Sequence, residues 1–202
     1  MAVLDENEIV EAIGVLKNSG VIVFPTETAY GLGADATNPR AVARLMAIKG
    51  REGWKTPPLI AATQDMVERS VVLSDRLQAY AHHYWPGPLT IVAPMKQDTA
   101  LCAEVIRENT VAIRVSSHPT ARRLSEALGV PLVATSANVA GQPTCFTIAD
   151  VHAQFDTNLL QPDLYLDVGP LEDRGLSTII SEQDGQMIVI RKGVIDIETY
   201  VA

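Results

Sequence analysis

The stretch Val21-Ile22-Val23-Phe24-Pro25-Thr26-Glu27-Thr28-Ala29-Tyr30-Gly31-Leu32-Gly33 decides the fold. Its first four residues are apolar and rich in β-branched side chains, the composition of a buried strand. Pro25 closes that strand, because proline has no N–H to give to a ladder. Polar, aromatic and glycine residues follow. A strand that empties into such a loop is where α/β proteins hold their ligands. Gly31 and Gly33 can take positive φ and let a ligand approach the backbone closely. An ordinary strand-to-helix turn is the competing reading of the same residues.

Working outward, Asp5 is a candidate N-cap for a helix with apolar positions Ile9, Val10, Ile13 and Leu16, ending at Gly20. Asn38 caps a second helix with Pro39 at its first position and Ala41, Val42, Leu45, Met46 and Ile48 as its packing face; Gly50 stops it. Strands are expected at Pro58–Ala62, Leu89–Ala93, Val111–Val115 and Leu132–Thr135, with helices at Asp75–Tyr84 and Pro119–Leu128. Thr147 opens a short helix through Gln154, with Asp150 at the capping-box spacing. Strands Thr178–Ser181 and Met187–Arg191 then meet through Asp184-Gly185, a hairpin signal. Alternation of strand and helix predicts an α/β fold. The closing hairpin makes the sheet mixed, parallel and antiparallel. No repeat or linker interrupts the chain, so residues 1–202 are expected to form a single domain.

Composition narrows the function. The 202 residues are 47% hydrophobic, enough for a sizeable core, with no apolar run long enough to span a membrane. The acidic start, Asp5-Glu6-Asn7-Glu8, lacks the basic and apolar regions of a signal peptide. Cys102 and Cys145 form no CxxC pair, which fits a reduced, cytoplasmic location. A net charge of −8 argues against broad nucleic-acid binding but leaves room for a local basic pocket. His82, His83, His118 and His152 show no metal spacing. No Walker A, nucleophile-elbow or dinucleotide fingerprint is present.

Lys49 and Arg51 lie astride Gly50 at a helix end. Two cations there suit a polyphosphate, the lysine as a point charge and the arginine as a fork. A solvated helix end that complements the dipole is the plainer reading. Ser136 and Asn138 follow a strand directly, so they emerge at its carboxyl end, able to meet phosphate, ribose or hydrated Mg²⁺, or to form a simple turn. Arg114 closes an apolar run and must find a partner. That partner is either a structural carboxylate or a ligand.

Taken in order, Pro25–Gly33, Lys49-Gly50-Arg51, Trp85-Pro86-Gly87-Pro88-Leu89-Thr90, Arg114, Ser136-Ala137-Asn138, Ser177-Thr178-Ile179-Ile180 and Arg191-Lys192-Gly193 resemble the YrdC/TsaC family of threonylcarbamoyl-AMP synthases. The resemblance runs from about Val21 to Gly193. It implies a large twisted mixed sheet flanked by helices around a concave basic cleft. It implies that ATP, L-threonine and bicarbonate give threonylcarbamoyl-AMP and pyrophosphate, with Mg²⁺, and that downstream transferases modify tRNA with the product. By the same resemblance Lys49 and Arg51 are catalytic and bind the nucleotide with Ser136, Asn138 and Arg191. Thr26, Thr28, Tyr30, Arg114, Thr135 and Ser177 hold threonine, and Ser136 and Asn138 are the only candidates for Mg²⁺. The alternative is an RNA- or nucleotide-binding protein of the same fold without turnover. The chain departs from the family where Glu52-Gly53 follows Arg51, where Pro57-Pro58-Leu59 replaces Lys-Pro-Leu, and where Ala62 replaces a histidine of some relatives.

Overall fold

A computed structural model describes residues 4–50 and 56–197. Helix α1, Glu6–Lys17, starts at Asp5, whose carboxylate caps the Glu8 N–H while the Glu8 carboxylate caps Asp5. It buries Ile9, Ala12 and Leu16, whereas Val10, expected on the packing face, is 63% exposed. Strand β1, Ile22–Pro25, turns directly into β2, Tyr30–Asp35. The two pair antiparallel, with Phe24 opposite Gly31 and Pro25 opposite Tyr30.

That hairpin corrects the sequence reading. Gly31 and Gly33 belong to a strand, not to a ligand loop, and neither has positive φ. Their purpose is clearance. A Cβ on Gly33 would lie 2.8 Å from the ring of Phe24, which is fully buried. Only Thr26–Ala29 remains as loop.

Helix α2, Pro39–Ile48, begins at Asn38 and ends at Lys49, after which Gly50 adopts φ +62°. Then follow β3 (Leu59–Ala61), α3 (Gln64–Ser70), α4 (Asp75–Tyr84), β4 (Leu89–Pro94), a 3-10 turn at Ala103–Val105, β5 (Thr110–Val115), α5 (Pro119–Leu128), β6 (Leu132–Ser136), α6 (Ile148–Phe155), β7 (Leu164–Tyr165), β8 (Thr178–Gln183) and β9 (Gln186–Arg191). The capping box at Thr147 and Asp150 forms as expected. Helix α3 and the short β7 are additions to the sequence reading.

The strands form one sheet in the order β7-β1-β2-β6-β3-β5-β4-β8-β9. Three neighbouring pairs are parallel and five antiparallel, so the sheet is mixed. Successive strand residues serve two cores. Val23, Leu32, Leu59, Ile91, Ile113 and Val133 pack with α2, α3, α4 and α6. Ile22, Phe24, Ile60, Leu132 and Ala134 pack under α1 and α5.

The second face positions the site. Its helical cover reaches across β1, β6 and β3, where Ile60 sits opposite Arg114. The row continues on β4, β8 and β9, where Thr90 is opposite Ile179 and Ile179 opposite Arg191. Residues opposite one another share a face. Arg114, Thr90 and Arg191 therefore lie together beyond the two helices.

Candidate functional site

The polar residues gather in two groups, and the loop between β1 and β2 joins them. The first group centres on Lys49. Its side chain is buried at the end of α2, and Nζ donates to the Ser136 carbonyl at 2.5 Å and the Asn138 carbonyl at 3.1 Å. The Ser136 Oγ at 3.3 Å and the Asn138 Oδ1 at 3.2 Å complete a cage of oxygens. The Asn138 amide donates to the Val139 and Gln142 carbonyls, which fixes Oδ1 toward the ammonium. The Ala137 N–H donates to the Tyr30 carbonyl, tying this cage to the start of β2. Arg51 lies outside the described residues, as do Glu52 and Gly53.

The second group centres on Arg114, which is 4% exposed. Its Nε donates to Glu27 Oε1 at 3.0 Å, and Ser116 Oγ makes a short hydrogen bond to Glu27 Oε2. Burial pushes the Glu27 carboxyl up, but the Arg114 charge and the Ser116 hydroxyl outweigh it and hold it below the usual carboxylate range. Next to this pair, Arg191 donates from Nε and Nη2 to the Ser177 carbonyl and from Nη2 to Ser177 Oγ. Thr90 Oγ1 donates in turn to Ser177 Oγ at 3.1 Å. Burial, and then the field of Arg114, lower the Arg191 pKa, so the two guanidinium groups feel each other. Among the described residues, one carboxylate, Glu27, stands against two guanidinium groups here. Such a site is built to take a further anion.

The residues expected to hold threonine do not all gather at Arg114. Thr26 is buried and its hydroxyl closes the loop on itself, accepting from the Thr28 and Ala29 N–H groups and donating to the Ala29 carbonyl. Its Oγ1 lies 3.0 Å from that of Thr28, which is half-buried. Tyr30 is fully buried, and its hydroxyl points away from the Arg114 group. It donates to the Gly169 carbonyl at 2.8 Å and to Asp167 at 3.2 Å, and accepts from the Val168 N–H. Burial raises its pKa to about 12. Thr135 sits opposite Leu32, which puts its side chain on the face opposite to Arg114. Ala62 is buried in the core.

Sequence reasoning missed Glu27, Ser116 and Thr90. The signal for Glu27 was present: Arg114 needed a carboxylate, and Glu27 is the one acid in the deciding stretch.

The donor set does not fit a protein-held magnesium ion. The oxygens of Ser136 and Asn138 already face the Lys49 ammonium. Among the described residues no group of three His, Cys, Asp or Glu side chains could hold a metal.

The Sua5/YciO/YrdC family profile, described as "Telomere recombination", matches residues 14–193. The chain is 41% identical over 155 residues to the threonylcarbamoyl-AMP synthase of Klebsiella pneumoniae, covering 75% of this chain and 81% of that one. The crystal structure of P. abyssi Sua5 complexed with L-threonine superposes with a TM-score of 0.87 at 28% identity. That match covers 98% of this chain and 57% of the Sua5 chain, so the protein spans little more than half of that relative. E. coli YciO shares the fold with a TM-score of 0.85 at 24% identity, covering 98% and 94% of the two chains.

Proposed function

Because the chain belongs to the Sua5/YciO/YrdC family, we propose that it is a threonylcarbamoyl-AMP synthase. L-Threonine, bicarbonate and ATP give threonylcarbamoyl-AMP, pyrophosphate and water, and a downstream transferase in the cytoplasm moves the threonylcarbamoyl group to tRNA. The observation that carries the reading is the joining of two cationic groups, Lys49 with its oxygen cage and Arg114 with Arg191, by the β1–β2 loop and the Tyr30 that follows it.

The chemistry asks for positioning and charge, because no side chain of the site serves as a covalent nucleophile. The threonine amine captures CO₂, and the resulting carbamate oxygen attacks the α-phosphorus of ATP as pyrophosphate leaves. Arg114 presents its fork to the threonine α-carboxylate, with Thr28 and Ser177 beside it. Lys49, Arg51 and Arg191 carry positive charge toward the polyphosphate, while Ser136 and Asn138 shape the loop that receives it. No step is assigned to magnesium, since Lys49 holds the oxygens that would ligate it.

Thermal melts with ATP, Mg²⁺, threonine and bicarbonate, beside melts with duplex RNA, test this reading, together with detection of the adenylate by mass. A ligand present at a hundredfold excess over its dissociation constant stabilises by about 2.7 kcal/mol. The small molecules are expected to raise Tm and yield adenylate. A shift with RNA alone at physiological salt, and no adenylate, refutes the reading in favour of an RNA-binding module.

A further inference from the structure

Arg114 uses Nε, the side edge of its guanidinium, for Glu27, and its side chain makes no other hydrogen bond among the described residues. Both terminal nitrogens thus stay available on a group held in one orientation. The hold is tight. The Glu27 side chain is 7% exposed, both its oxygens are engaged, and the second is fixed by Ser116, whose Oγ also accepts from the His118 N–H. Glu27 reaches Arg114 from the β1–β2 loop, which Thr26 locks through its own hydrogen bonds. The carboxylate is therefore part of a built mount rather than a mobile surface partner.

An arginine without such a mount would behave differently here. Arg191 stands close by with the same sign of charge. Repulsion would drive the flexible Arg114 side chain away, and a ligand would have to recover it at an entropic cost. We infer that Glu27 is a positioning residue: it fixes the Arg114 guanidinium so that its two terminal nitrogens meet a ligand carboxylate as a preformed fork. The inference rests on the proposed synthase function, with threonine as the carboxylate. It also makes an opposite prediction from the competing view, in which Glu27 imitates and competes with the substrate carboxylate.

The test is calorimetry on the full chain for threonine and, separately, for ATP, in wild type, E27Q, R114Q and the double variant. E27Q is expected to weaken threonine binding by about tenfold to a hundredfold, the span for losing one charge-assisted hydrogen bond. ATP affinity should stay within about twofold of wild type. Because Glu27 acts through Arg114, adding E27Q to R114Q should weaken threonine no further, a non-additivity that a general loss of stability would not produce. In steady state the change should fall on the threonine KM more than on kcat. S116A, which loosens one oxygen of Glu27 and keeps the charge, should shift threonine affinity in the same direction by a smaller factor; it carries the test if E27Q fails to fold. Tighter threonine binding by E27Q, or additive losses in the double variant, overturns the inference. Threonine binding by wild type with no change in E27Q or S116A overturns it alone. No threonine binding by wild type overturns the synthase reading with it.

Discussion

Replacing Lys49 with methionine should damage the fold as well as the ligand site. Methionine keeps the unbranched shape and most of the volume, so no large cavity opens. What goes is the ammonium that faces four oxygens of Ser136 and Asn138. A hydrogen bond to a charged group contributes about 1.5–3 kcal/mol. The gain is partly offset, because burying an ammonium costs several kcal/mol. The decisive term is what the variant leaves behind: the Asn138 carbonyl and Oδ1 lose the ammonium inside the protein, at about 1–3 kcal/mol each, whereas the Ser136 carbonyl keeps the Asn138 N–H. The Ser136 hydroxyl relaxes toward water at its half-buried end. A net loss of about 2–4 kcal/mol follows. In a protein of this size each kcal/mol moves Tm by about 2–4 °C, so Tm should fall by about 4–16 °C. Differential scanning calorimetry with and without ATP reads both effects. The ATP-induced rise in Tm should shrink as well, because the 136–138 loop has lost the group that shapes it. A Tm within about 2 °C of wild type would refute the view that Lys49 clamps the loop, and leave it as a ligand-facing cation only.

Two further predictions concern the loop residues. The folded-state pKa of Glu27 is depressed, so its contribution to stability is complete above the ordinary carboxylate pKa, about 4.3, and is lost as pH falls through the folded value. Urea melts from pH 6 down to about 2 should show this acid limb, and E27Q should flatten it; an unchanged limb in the variant would place the acid sensitivity elsewhere. Tyr30→Phe removes the hydroxyl that holds Asp167, Val168 and Gly169. It should cost about 1 kcal/mol of stability and speed amide exchange in residues 167–169, with threonine affinity nearly unchanged; a large loss of threonine binding would restore Tyr30 as a direct contact.

Helices α1, α2 and α6 were legible because their ends carry local chemistry. Asp5 with Glu8, Asn38 with Pro39 and Thr147 with Asp150 each satisfy their own N–H groups, whatever packs beside them. The closing hairpin was legible for a similar reason, since Asp184 and Gly185 take the positive φ that such a turn needs. The first hairpin was not. Glycine signals a loop by its freedom, but Gly31 and Gly33 are there for the missing Cβ that admits the Phe24 ring, a tertiary cause that no local pattern reports. The site divides in the same way. That Lys49, Ser136 and Asn138 belong together followed from motif order, and the structure joins them. That Arg114 required a partner followed from its apolar neighbours. Its choice of Glu27, far along the chain, depends on how the β1–β2 loop meets β5, and that is set only by the folded sheet. The direction of the Tyr30 hydroxyl was not legible, because an aromatic beside a candidate ligand loop gives no sign of which way it points.

An acidic protein with a local cationic site is physically consistent. The net charge of −8 acts at long range, where physiological salt screens it within about 8 Å. It opposes an extended polyanion such as duplex RNA, whose phosphates must meet a broad surface. It does little against a small anion already inside the site. There the nearest groups decide, and among the described residues these are Arg114, Arg191 and the Lys49 ammonium, with Glu27 the carboxylate paired to Arg114. Glu27 cannot neutralise both guanidinium groups, so a positive remainder persists beside it after Arg114 has been fixed. The same carboxylate thus does two things that would otherwise conflict: it permits two arginines to sit close together, and it leaves enough charge between them to draw in a ligand carboxylate or phosphate.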